Sequence, residues 1–183
     1  TIAITNFSSL HVMNISQNGN YLYLALGNHF GTAVQSPGFA IIDIANPANA
    51  VVKSYWSNIS LTGGSGIIET EGNYAYLGAM KNGLMIFDIT DKTLPVQKSA
   101  FLPSITFPDP NPDPNKYNAR GMAVKNDIVY LCYDAGGLRI INAVDKLNPR
   151  QTGKFSNPDM NGKPRAYNNI VLDGPYVFAA VDY

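Results

Sequence analysis

Four oxygen-bearing side chains alternate in one short stretch. They are Asp109, Asn111, Asp113 and Asn115, within Phe107-Pro108-Asp109-Pro110-Asn111-Pro112-Asp113-Pro114-Asn115-Lys116-Tyr117-Asn118. Carboxylate and amide oxygens at every second position are what a calcium loop uses, because calcium takes six to eight hard oxygen ligands. The EF-hand pattern itself fails: Pro114 stands where that loop needs its turning glycine, and Arg120 where it needs a bidentate glutamate. The competing reading is a stiff, extended, proline-rich connection with its polar side chains in water. Calcium is the only cofactor these residues suggest.

Catalytic chemistry has less to stand on. The chain has no P-loop, no Gly-x-Ser-x-Gly, no His-Glu-x-x-His and no paired-cysteine metal motif. Glycoside hydrolysis needs two carboxylates flanking the scissile bond. Glu69, Glu71, Asp109, Asp134 and Asp159 are available, but no spacing singles out a pair. The single cysteine, Cys132, lies in Tyr130-Leu131-Cys132-Tyr133, far in sequence from His11 and His29, and reads as a small buried apolar residue. The expectation is a protein that binds rather than catalyses. Phe30, Trp56, Phe107, Tyr117 and Tyr167 are the aromatics placed to stack on a sugar or anchor a protein partner. Trp56 fits packing between structural units as well. Arg120 and His11, near the starts of innermost strands, are candidates to line a central channel.

Composition narrows the partners. Net charge is zero and charged residues make up 14 % of the 183. A nucleic-acid-binding domain carries a basic excess or patch, and electrostatic membrane adsorption needs a polybasic cluster. Neither is visible, and no apolar run approaches the roughly 18 residues that span a bilayer.

These residues are positioned by a repeat. An aromatic strand follows a tight turn in Gly19-Asn20-Tyr21-Leu22-Tyr23-Leu24, Gly72-Asn73-Tyr74-Ala75-Tyr76-Leu77 and Asn126-Asp127-Ile128-Val129-Tyr130-Leu131. A glycine and an apolar strand ending in Asp or Asn follow in Gly38-Phe39-Ala40-Ile41-Ile42-Asp43, Gly83-Leu84-Met85-Ile86-Phe87-Asp88 and Gly137-Leu138-Arg139-Ile140-Ile141-Asn142. The tyrosines Tyr23, Tyr76 and Tyr130 recur at intervals of 53 and 54 residues, and Phe178 opens a fourth copy. A period near 50 residues marks a repeat architecture. Each unit reads as four short strands. The first holds 12–16, 21–26, 39–44 and 51–56; the second 67–70, 74–79, 84–89 and 96–101; the third 122–125, 128–133, 138–143 and 151–155. No stretch supports a helix. Four antiparallel strands per repeat give an all-β β-propeller of about three and a half blades in an incomplete ring. The blades span about 11–56, 65–102, 120–156 and, for the start of the fourth, 168–183. The aromatic residues Tyr23, Tyr76, Tyr130 and Phe178 are expected between blades.

The pattern of Gly-Asn-Tyr-Ala-Tyr-Leu followed by Gly-Leu-Met-Ile-Phe-Asp-Ile-Thr-Asp, with proline in the next turn, resembles the LVIVD-repeat proteins. The second unit fits best; the third departs at Asn142. The resemblance implies a bacterial or archaeal propeller, secreted or at the cell surface (including the outer membrane), and supplies no catalytic residues. The fourth copy breaks off at Val181-Asp182-Tyr183, so the reading expects a piece of a longer chain or a partner that supplies the rest.

Connections in such a blade alternate between two faces. The short ones, 17–20, 45–49, 91–95 and 145–150, fall on one; the long ones, 27–38, 57–66, 103–119 and 156–168, fall on the other. Long segments without structure of their own are usually functional or disordered. The expected function is therefore a surface-exposed or secreted binding module. Its long-loop face would contact a protein partner or assembly subunit; the alternative is a carbohydrate-binding or carbohydrate-active propeller.

Overall fold

A computed structural model describes residues 9–28, 35–160 and 162–182. Phe30 and His29 lie outside the described residues. The rest is all-β, with three short 3-10 turns and no α-helix among the described residues. Blade 1 holds β1 (Val12–Asn18), β2 (Tyr21–Leu26), β3 (Gly38–Asp43) and β4 (Val51–Ser57). Blade 2 holds β5 (Ile67–Glu71), β6 (Tyr74–Gly78), β7 (Leu84–Asp88) and β8 (Val96–Phe101). Blade 3 holds β9 (Gly121–Lys125), β10 (Ile128–Cys132), β11 (Leu138–Asn142) and β12 (Arg150–Phe155). The fourth sheet holds β13 (Ala166–Asp173) and β14 (Tyr176–Asp182). Each sheet is antiparallel in simple chain order. The first strands β1, β5, β9 and β13 pack side by side, as the innermost strands of propeller blades do.

Turn chemistry sets the register. Every first hairpin closes through two residues: Gly19-Asn20, Gly72-Asn73, Asn126-Asp127 and Gly174-Pro175. Three have a glycine at positive φ in the first position; in the third, Asn126 and Asp127 both have positive φ, at 53° and 60°. These are the turns whose twist matches that of paired strands. The expected turn at 17–20 is shorter than its sequence suggests, because β1 runs on to Asn18. The glycine before each third strand answers a close approach. A Cβ on Gly83 or Gly137 would lie 2.3 Å from the carbonyl oxygen of Phe101 or Phe155.

The last pair of strands in each blade carries a bulge. Lys53, Lys98 and Thr152 are the extra residues, left unpaired opposite the third strand. Bulges of this kind sharpen twist at a sheet edge.

Apolar residues meet between blades. Tyr23, Phe39 and Ile41 of blade 1 pack on Ile68, Leu77 and Phe87 of blade 2. Tyr76, Leu84 and Ile86 pack on Met122, Val129 and Leu131 of blade 3. Cys132 and Leu138 pack on Tyr167 and Ile170 of the fourth sheet, with Tyr130 against them. Three of the four repeated aromatics thus lie between blades. Phe178 does not: it is 58 % exposed, because no strand of the described residues covers that face of β14.

Candidate functional site

Two of the long segments converge. Within 103–119, Asp113 caps a 3-10 turn (Pro114–Lys116), its Oδ1 accepting from the Asn115 backbone N–H at 3.1 Å. The Asn115 side chain also donates to Asp113. Proline after the cap starts this turn without wasting a donor. Arg139, wholly buried on β11, holds the segment from beneath. Its guanidinium donates to the carbonyls of Ser104 at 3.2 Å and Phe107 at 3.1 Å, and to that of Gly136. It also sits over the rings of Phe107 and Tyr133 at 5.2 and 5.4 Å. No carboxylate pairs with it among the described residues; carbonyls meet its two Nη groups, ring faces flank the plane, and its Nε makes no hydrogen bond. Burial lowers its pKa from the ordinary guanidinium value.

The second segment, 156–168, brings Arg165. Its Nη2 donates to Asp109 Oδ2 at 2.9 Å, an ion pair joining the two segments, and its Nη1 donates to the carbonyls of Met160 and Lys163. Between them lies a cavity of about 320 Å³, lined by Asp109, Asn111, Asp113, Lys116, Tyr117, Ala135, Gly162, Lys163, Pro164 and Arg165. Tyr117 is 2 % exposed, and its hydroxyl makes no hydrogen bond of good geometry. Burial, and next the charge of Asp109, raise this phenol above its usual value. Asp109 acts on it mainly through charge and only weakly as a hydrogen-bond acceptor, its short hydrogen bond coming from Arg165.

Three of the four candidate calcium ligands, Asp109, Asn111 and Asp113, share this cavity wall; Asn115 is turned to its own cap. Asp109 and Asp113 are engaged by donors of the protein itself. The other candidates are spread out. Trp56 stacks on Phe39 at 6.0 Å and meets the edge of Phe87 at 4.6 Å, at the junction of blades 1 and 2. Phe107 lies under Arg139 with the Lys154 ammonium 4.7 Å from its ring centre. Arg120 pairs with Asp134 at 3.3 Å and donates to Asn168 Oδ1 at 2.9 Å, which ties blade 3 to the fourth sheet. Tyr167 is buried in that same junction, its hydroxyl accepting from the Asn157 N–H at 2.9 Å. His11 is exposed and takes part through its backbone. Cys132 is buried, and burial pushes its thiol up to about 12.

Of the five carboxylates weighed for catalysis, Glu69, Glu71, Asp109 and Asp134 hold hydrogen bonds within the scaffold. Glu71 accepts the Asn126 and Asp127 N–H groups, both at 2.7 Å. Glu69 accepts from Ser16 of blade 1, and Asp134 from Asn118. The repeated strand-ending residue does likewise. Asp43, Asp88 and Asn142 each accept the N–H two residues on, from Ala45, Thr90 and Val144 at 2.9–3.0 Å.

A comparison with protein-family models matches the LVIVD repeat over residues 11–56 and 62–102, which are blades 1 and 2. The chain carries LVIVD repeats. No curated protein matches it. In the two matched LVIVD repeats the Asp has a second partner: the bulge lysine of the last strand, Lys53 on Asp43 at 3.2 Å and Lys98 on Asp88 at 3.3 Å. In blade 3 both members change together, to Asn142 and Thr152. The LVIVD strand is thus scaffold, and the cavity lies where the copies differ. Sequence reasoning found one wall of it and missed Lys116, Lys163 and Arg165. The signal available was that these three basic residues all sit in long segments of the same face.

Proposed function

We propose that this chain is an extracellular or cell-surface binding module that takes its ligand at the long-loop face and performs no catalysis. The cavity between segments 103–119 and 156–168 carries the reading. It joins a concave shape to a few convergent polar groups, which is how small-ligand sites are built. The structural duties of Glu69, Glu71, Asp109 and Asp134 support binding over hydrolysis. Among the described residues no helix is long and apolar enough to cross a membrane.

A protein partner is the second reading. Val171, Tyr176 and Phe178 present an apolar surface on β13 and β14. The covering surface it fits is another blade of the same kind, since in blades 1 to 3 the equivalent tyrosines meet the next blade. A glycan array of neutral and acidic sugars, run beside native mass spectrometry, separates the two. Glycan binding by the monomer that Tyr117→Phe weakens supports the cavity reading. Stable co-purifying subunits without any glycan signal overturn it in favour of the second.

A further inference from the structure

We propose that the cavity is a subsite for a small polyhydroxylated carboxylic acid, of which a uronic acid unit is the simplest example. This rests on the binding reading above and gives it a ligand class. The charge of the wall is unequal: Lys116, Lys163 and Arg165 against Asp109 and Asp113. Asp109 is neutralised by Arg165, and Asp113 Oδ1 is occupied by its cap. Among the described residues the ammonium groups of Lys116 and Lys163 have no hydrogen-bond or ion-pair partner. Behind Tyr117, Arg139 adds a positive charge that no carboxylate of the described residues pairs with. A low-dielectric cleft lined by one excess sign concentrates ligands of the other, so the group sought here is an anion.

Charge alone describes half of the wall. Asn111 and Asp113 add acceptors that an anion by itself would not use, but that ligand hydroxyls would. The buried Tyr117 hydroxyl lines the same cavity with Asp109 as its one weak partner and no hydrogen bond of good geometry. Leaving such a group poorly paired carries part of its desolvation cost, which a ligand oxygen would relieve. Among the described residues the only aromatic in the wall is Tyr117, whose ring is buried against Gly136 and Tyr133, so none of them offers an open ring face for stacking on a neutral sugar. Recognition then falls to charge and hydrogen bonds. At about 320 Å³ the space sits at the lower end of the ~300–1,000 Å³ of small-ligand sites, which suits one sugar-sized unit.

The test is calorimetric titration of the full chain with glucuronate and, separately, with glucose. Glucuronate is expected to bind and glucose to bind at least about tenfold more weakly, the loss of one charge-assisted contact. Tyr117→Phe should weaken glucuronate about tenfold while leaving the melting temperature close to that of the unsubstituted chain, because the hydroxyl it removes has only a weak partner, Asp109, in the free protein. Lys116→Gln with Lys163→Gln should remove the preference for the acid. Equal affinity for both sugars, lost in Tyr117→Phe, would overturn the acid class and leave the binding module standing. Glucuronate binding indifferent to all three substitutions would overturn the site. No binding of either sugar, with none on the array, would overturn both readings.

Discussion

At the scale of single residues, the strand-ending Asp shows how a repeated polar residue can be structural. Asp88 accepts from the Thr90 N–H at 3.0 Å and the Thr90 hydroxyl at 2.7 Å, and pairs with Lys98 at 3.3 Å. The first two bonds fix the turn; the third crosses to the bulge. Blade 3 retains the turn bond through Asn142 and gives up the ion pair with Thr152. The turn should therefore matter more than the charge. Lys98→Thr is expected to cost under about 1 kcal/mol, as half-exposed pairs do. Asp88→Ala should cost about 1 kcal/mol more, because it also leaves a backbone donor unpaired. Urea denaturation of the two variants checks the order, and a larger loss for Lys98→Thr would assign the repeat's Asp to the ion pair instead. The spacing was readable: Asp43 to Lys53, Asp88 to Lys98 and Asn142 to Thr152 are each ten residues. A bulge adds one residue without changing composition, so only aligning the copies against one another exposes it.

At the scale of elements, strands were legible and segments were not. The strand expected over 74–79 forms as Tyr74–Gly78, and the one expected over 96–101 forms as Val96–Phe101. Alternation and turn residues set such boundaries locally. The fold of 103–119 depends instead on Arg139 and Arg165, more than twenty residues away along the chain, and nothing in the Pro-Asx alternation announces them. Arg139 sits in the third strand of its blade, where its neighbours Leu138 and Ile141 are core; a buried cation there marks a tether. Arg139→Met keeps the bulk and removes the donors to Ser104, Phe107 and Gly136. Amide hydrogen exchange across 103–119 is expected to quicken by about tenfold or more, the loss of at least one charge-assisted bond, while β9 to β12 stay protected. Chelation by EDTA should leave exchange in the unsubstituted chain as it was, because Asp109 and Asp113 already have protein donors. Faster exchange on chelation that Asp113→Ala abolishes would show those oxygens holding calcium.

At the scale of the whole molecule, blades are joined by polar latches as well as apolar contact. Lys92 reaches over Tyr21 of the preceding blade at 5.8 Å, and Lys146 over Tyr74 at 4.7 Å. Glu71 caps the turn of the next blade, and Glu69 accepts from the one before. In a repeat array such nearest-neighbour terms add along the chain. The titratable groups then divide by location. Asp43, Asp88, Asp91 and Asp145, on the short-turn face, lie below their ordinary values. The Ala45 and Thr90 backbone N–H groups are the first cause for Asp43 and Asp88; side-chain bonds from Thr93 and Asn148 are the first cause for Asp91 and Asp145. Glu69 and Asp134, at the junctions, are raised, with burial outweighing their hydrogen bonds. A lowered carboxyl stabilises the fold above its unfolded pKa, about 3.9 for Asp, and loses that contribution as pH falls through its folded value. A raised one does the reverse: its cost is absent below the unfolded pKa, about 4 for Asp or Glu, and grows as pH rises towards its folded value. The melting temperature should therefore pass through a maximum near pH 4 to 5. Asp134→Asn also breaks the Arg120 pair, so the slope is the readout and not the height. It should flatten the decline above the maximum, whereas Asp88→Asn should flatten the acid side alone. A melting temperature that climbs steadily to pH 7, with the same slope in Asp134→Asn, would mean that ionising the junction carboxylates costs the blades nothing.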